Sequence, residues 1–163
     1  MSTPRLLIAY DGSPNAKHAV DAAAALFPGA RAVVFYARQP MESFAAHLQG
    51  HPALEKLDEI DRAAFDASEA IAAGGAVLAE AKGLTAEPLV SSTVATASEA
   101  IIDAADELDI ELIVIGSRGQ RGMRATVLGS TSTNVLHHTA HPTLVIPSDA
   151  VARARYAQRA AVA

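Results

Sequence analysis

Five short apolar runs, spaced by stretches of helical pattern, constrain the fold of this chain more than any other feature of its sequence. The runs are "RLLIAY" (5–10), "RAVVFYAR" (31–38), "TAEPLVSSTV" (85–94), "ELIVIG" (111–116) and "HPTLVIP" (141–147). The first shows no polar–apolar alternation, and the fourth is the most apolar of the five. Continuous apolar runs of this length mark strands buried on both faces. Between the runs lie "NAKHAVDAAAALF", a long helical pattern over 53–82, "ASEAIIDAADELDI" and "STNVLHHTA". Alternation of strand and helix predicts an α/β domain: a parallel sheet with helices on both faces. Right-handed crossovers leave few topologies; strand order 3-2-1-4-5 is the one adopted as the expectation, and it would make the first and fourth strands neighbours.

Local signals agree. Ser13 followed by Pro14 is a capped helix start. Pro28-Gly29 and Gly83 are stops. Pro88 cannot donate to a ladder, which places the third strand at a sheet edge. Either Thr96 or Ser98 caps the third helix. Leu54, Leu57, Ile60 and Ala64 form one stripe on the second helix and are expected to be core. Gly74-Gly75 inside that helix costs about 1 kcal/mol per Gly relative to Ala, so a weak point or close packing is expected there. The tail, 148–163, is rich in Ala and Arg and is set apart from the 1–147 domain; it is able to form a helix, fray or pack on a neighbour.

With 163 residues, half of them hydrophobic, one domain has enough apolar side chains for a core. The absence of cysteine excludes a disulfide framework, a thiolate metal site and cysteine chemistry, and suits a reducing cytosol. The chain opens without a signal-peptide pattern and has no run near the roughly 20 apolar residues of a membrane span. A cytoplasmic protein that binds neither membrane nor nucleic acid is expected, the latter because the net charge is −5.

That charge is unevenly spread. From Leu112 to Ser148 there is no Asp or Glu, while Arg118, Arg121, Arg124 and three histidines lie there. Such a segment suits an anion. Gly116, Gly119, Gly122 and Gly129 punctuate it, and the hydroxyls of Ser130, Thr131, Ser132 and Thr133 follow. Glycines let a backbone approach a ligand closely, and a helix start near Gly129-Ser130 offers N–H groups and partial positive charge. Together these suit a polyphosphate. In open α/β sheets ligands bind beyond the strands' carboxyl ends, where strand order reverses. Asp11 and Gly116 follow the first and fourth strands, which meet at that point if the order is 3-2-1-4-5. Neither the GxxxxGK[ST] pattern nor GxGxxG is present, which argues against a P-loop hydrolase and a standard dinucleotide enzyme. His137 and His141 are four apart but lack an evident third metal ligand; cations at a helix C-terminus are the simpler account. His47 and His51 carry no specific expectation.

Gly116-x2-Gly119-x9-Gly129-Ser130 resembles the nucleotide-binding signature G-2x-G-9x-G-[S/T] of the universal stress protein family. "LLIAYDGS" resembles that family's first strand with its terminal Asp, and "HPTLVIP" its closing strand, so the likeness spans about 5–147. The resemblance implies a Rossmann-like five-stranded fold and the ATP-binding branch of the family, with ATP and Mg²⁺ as ligands. It implies that Gly116, Arg118, Gly119, Gly129, Ser130, Thr131 and Ser132 surround the ribose and phosphates. Asp11 would lie by the ribose or a phosphate-bound metal, Ala9 and Ala37 would help line the adenine pocket, and Ile115 is a further nucleotide-binding candidate. It also implies a homodimer through Thr143–Pro147. One departure is visible: where the family often has Gly-x-Pro before the third helix, this chain has Ala95-Thr96-Ala97. No catalytic set is evident. A cyclic AMP or AMP binder, a slow ATP hydrolase and a ligand-free dimeric module remain open alternatives.

Overall fold

The computed structural model describes residues 3–41, 50–118 and 128–162. Strands β1 (Leu6–Ala9), β2 (Arg31–Arg38), β3 (Thr85–Ser92), β4 (Leu112–Gly116) and β5 (Thr143–Ile146) alternate with helices α1 (Pro14–Leu26), α2 (Ala53–Ala81), α3 (Ala97–Glu107) and α4 (Ser130–His138). A last helix, α5 (Asp149–Val162), follows β5. The five strands form one parallel sheet in the order β3-β2-β1-β4-β5, as expected. Pro88 sits on β3, one of the two edges.

The missing alternation has its reason in two cores, one on each face of the sheet. Leu6, Ile8, Ala32, Val34 and Val114 pack under α1 and α2, against Ala19, Val20, Ala23, Ala76 and Ala79. Their sequence neighbours Leu7, Val33, Phe35, Ile113 and Ile115 pack on the opposite face, against Ala100, Ile101 and Ala105 of α3 and Val135 of α4. Every central-strand residue therefore faces a core, each large side chain contributing roughly 1.5–3 kcal/mol on full burial.

Caps fix the helix starts. The Ser13 hydroxyl accepts from the N–H of Ala16 at 3.1 Å, with Pro14 at the first helical position. Thr96, not Ser98, caps α3 in a full capping box with Glu99.

Helix α2 corrects one expectation. Ile60 is 53% exposed, and no residue from 53 to 67 is buried, so the Leu54/Leu57/Ile60/Ala64 stripe is not core. The buried face lies in the second half: Ser68, Ala72, Gly75, Ala76 and Ala79. Gly75 is the point of closest approach expected of the Gly pair. A Cβ there would lie 2.7 Å from the Tyr10 ring and 2.8 Å from Val34. The first half of α2 thus runs past the packed body of the sheet.

Candidate functional site

The β1/β4 reversal opens a cleft of about 1250 Å³ at the carboxyl ends of the strands. Ten of the residues expected to form a site line it: Ala9, Asp11, Ala37, Ile115, Gly116, Arg118, Gly129, Ser130, Thr131 and Ser132. Gly119, and with it Arg121, Gly122, Arg124 and His47, lies outside the described residues.

At one end of the cleft, β4 turns toward α4. Gly129 is the N-cap, where its carbonyl accepts from Thr133 N–H at 3.0 Å, and as a glycine it offers the first turn no side-chain cap. Ser130 is therefore the first helical residue and not the cap. No acidic residue occupies that turn, so its N–H groups and partial positive charge are directed at an anion-compatible space. Backbone bonds build the corner: Gly129 N–H donates to Ser117 O at 2.8 Å, and Ser117 N–H donates to Ile146 O at 2.7 Å. The Ser132 hydroxyl, buried, donates inward to Gly129 O at 3.0 Å. Ser132 thus shapes the corner with its proton already committed, whereas Ser130 is exposed and Thr131 half-buried.

The glycines act here without left-handed geometry. Gly12, Gly29, Gly50 and Gly83 have positive φ; Gly116 and Gly129 are not among them, and Gly129 has φ −64°. What Gly116 requires is absence of a Cβ, which would lie 1.9 Å from Asn15 Nδ2. Asn15 is buried and its Nδ2 donates to Ile146 O at 3.4 Å. A Cβ on Gly129 would meet Ser117 O at 3.3 Å, a milder conflict.

Asp11 is half-buried in the β1–α1 turn, where its Oδ1 accepts from Ser13 N–H at 3.0 Å. The helix-start role and a place on the cleft wall coexist. Burial first, and the Asp11 carboxylate second, hold the neighbouring Tyr10 phenol above its ordinary pKa.

The other end is walled by β2 and α2. Tyr10 N–H donates to Phe35 O on the β1 side of β2, while Arg38 O accepts from Thr93 N–H on the β3 side. Backbone groups of a parallel strand alternate between neighbours, so Ala37 directs its N–H and C=O past the end of β1, into the cleft. One donor and one acceptor on a single residue match the edge of a purine base. Opposite stand Ala64, Ala67, Ser68 and Ile71 of α2.

Sequence reasoning missed Arg38. It is 8% exposed, lines the cleft, pairs with Asp61 of α2 and lies 5.6 Å over the Phe65 ring. A strand-terminal Arg reads as a surface residue, and its partner is 23 positions away, so no local pattern announced it. The Ala95-Thr96-Ala97 departure also borders the cleft, steadied by Gln39 Nε2 donating to Ala95 O at 3.4 Å.

His141 Nε2 pairs with Asp106 at 2.7 Å, and His137 and His138 close α4 near its negative end. Among the described residues no group of three or more His, Asp or Glu is placed to hold a metal, and no helix is long and apolar enough to cross a membrane.

A doubly wound parallel sheet of order 3-2-1-4-5, with its cleft at the strand-order reversal, defines a Rossmann-like α/β fold. The universal stress protein family model matches residues 3–147, and the chain belongs to that family. A universal stress protein of Thermus aquaticus is 33% identical over 143 residues, which cover 86% of this chain and 96% of that protein. A hypothetical protein solved as a test case of structural genomics shares the fold with TM-score 0.74 and 17% identity, over 90% of this chain and 97% of that one. A universal stress protein from Archaeoglobus fulgidus, solved in complex with dAMP, shares it with TM-score 0.56 and 21% identity, over 89% and 98%.

Proposed function

We propose that this chain is an adenine-nucleotide-binding stress-response protein that takes ATP, with Mg²⁺, across the ends of β1 and β4. The observation that carries the reading is the convergence of the ten described candidate residues on one cleft with two unlike ends. The triphosphate lies at the α4 start, against Ser130, Thr131 and Arg118. The ribose lies by Asp11. The adenine lies between Ala9, Ala37 and Ile115 on the sheet side and α2 on the other. The dAMP complex of the Archaeoglobus protein supports an adenosine phosphate as ligand of this fold. Mg²⁺ demands octahedral oxygen ligands and keeps waters, so it would ride on the phosphates with at most Asp11 in reach. The protein would act in the cytoplasm as a homodimer through the open edge of β5, where Thr143, Leu144 and Val145 are only half-buried. Residues 148–163 form an appendage to this domain.

The test is to denature the purified protein, identify any released nucleotide, and titrate ATP, AMP and cyclic AMP into the stripped protein. Micromolar affinity corresponds to about −8 kcal/mol. ATP at a hundredfold excess over Kd raises unfolding free energy by about 2.7 kcal/mol, visible as a thermal shift. A stripped protein that saturates with none of the three rules the reading out.

A further inference from the structure

We infer that Arg38 is a positioning residue for the nucleobase, latching the overhanging half of α2 across the base end of the cleft. The inference rests on the nucleotide reading above.

The second half of α2 is anchored by its own buried face, from Ser68 to Ala79. The first half has none: every residue from 53 to 67 is exposed or half-buried. Yet this half supplies Ala64 and Ala67 to the cleft wall. Something other than core packing must hold that wall in place. Arg38 does it by gripping two residues one helical turn apart. Its guanidinium pairs with the Asp61 carboxylate and lies over the Phe65 ring. Asp61 Oδ1 also accepts from Met41 N–H at 2.8 Å, so the carboxylate ties the residues after β2 to the same turn. The Arg38 side chain is 7% exposed and that of Asp61 21%. A charge-assisted contact with so little water around it is directional and strong. Lys is a poor replacement, having neither the planar fork nor the stacking face.

The wall held this way is built of small residues. Ala64, Ala67 and Ser68 line the same cleft as Ala37, whose backbone edge points into it. Such a slot takes a flat ring. Its width depends on where α2 stands, and the Arg38–Asp61 pair sets that. The wall acts on the base and not on the phosphates, because the α4 corner is built separately by backbone bonds.

The test uses the full chain and the variants Asp61→Asn and Arg38→Met. Amide exchange is followed without ligand, and ATP and UTP affinities are measured. The latch predicts faster exchange over 53–67 in Asp61→Asn, with 68–81 unchanged. It also predicts that the ATP-over-UTP preference falls by about fivefold or more, a typical coupling between linked sites. Should Arg38→Met fail to fold, the half-exposed Asp61→Asn carries the test alone. Unchanged exchange over 53–67 overturns the latch. Faster exchange with an unchanged preference, or a native protein that does not prefer ATP to UTP, overturns the nucleobase role. A native protein that binds no adenine nucleotide overturns the functional reading instead, and the ligand-free exchange result separates that failure from failure of the latch.

Discussion

At the β4–α4 corner the main chain does the holding: Gly129 N–H to Ser117 O, Ser117 N–H to Ile146 O, with Asn15 pressed on Gly116 from below. At the β2–α2 end side chains do it, through Arg38, Asp61 and Phe65. The two ends suit different ligand parts. A phosphate needs fixed N–H donors and little else, and a packed corner of small residues fixes them. A base needs a slot of set width, and a rigid helix pinned by one ion pair supplies it. The first arrangement fails when a side chain is added; the second fails when one is taken away.

The largest effect that would break this contrast is expected at Gly116. In Gly116→Ala the new Cβ displaces Asn15, whose Nδ2 loses Ile146 O. Overpacking of this kind costs about 1–3 kcal/mol, read by urea or thermal unfolding. Adding Asn15→Ala should make the double variant more stable than the sum of the singles, since the second change vacates the space the first one needs. A freely tolerated Gly116→Ala would show that this glycine serves only the ligand.

Gly129→Ala sharpens the same contrast with a smaller change in stability. Its φ of −64° suits Ala, and the tightest contact is 3.3 Å from Ser117 O. Unfolding free energy should fall by less than about 1 kcal/mol, while ATP affinity drops by about tenfold or more, because the methyl pushes on Ser117 O, Arg118 and Ser132 beside the α4 N–H groups. Equal losses in both readouts would make Gly129 a packing residue like Gly116.

These differences explain what the sequence made legible. The strands, the β3 edge and the helix starts follow from apolar runs, Pro88 and caps that are local in the chain. The α4 end of the cleft was legible because its described lining residues, Gly116, Arg118 and 129–132, lie close together in the chain. The glycine spacing singled out Gly116 for a ligand, whereas the Asn15 contact, from a helix about a hundred residues earlier, gives that position a packing reason of its own. The β2–α2 end was not legible. Arg38 and Asp61 meet only once α2 is laid over β2, and a pair separated that way leaves no periodic trace. Helix α2 misled for a related reason. Its large apolar residues, Leu57 and Ile60, lie where the helix overhangs, and its true core face is Ala, Gly and Ser, which hydropathy does not mark. Gly74-Gly75 was the better clue to where that helix meets the sheet.

The gentlest test separates the ends by pH. The N–H of Met41 first, and the Arg38 guanidinium after it, hold the Asp61 carboxyl below its ordinary range against the opposing effect of burial. A carboxyl with a depressed folded-state pKa stabilises the fold fully above its unfolded value, and that contribution is lost as pH falls through the folded one. The latch should therefore be intact at neutral pH and start to release only below the usual carboxylate range. The backbone bonds of the α4 corner have no group that titrates there. On acid titration, amide exchange over 53–67 should accelerate before exchange at 129–135 does, and Asp61→Asn should abolish the difference. Simultaneous release at both ends would mean that the base end is held by packing after all, and that the ion pair only decorates it.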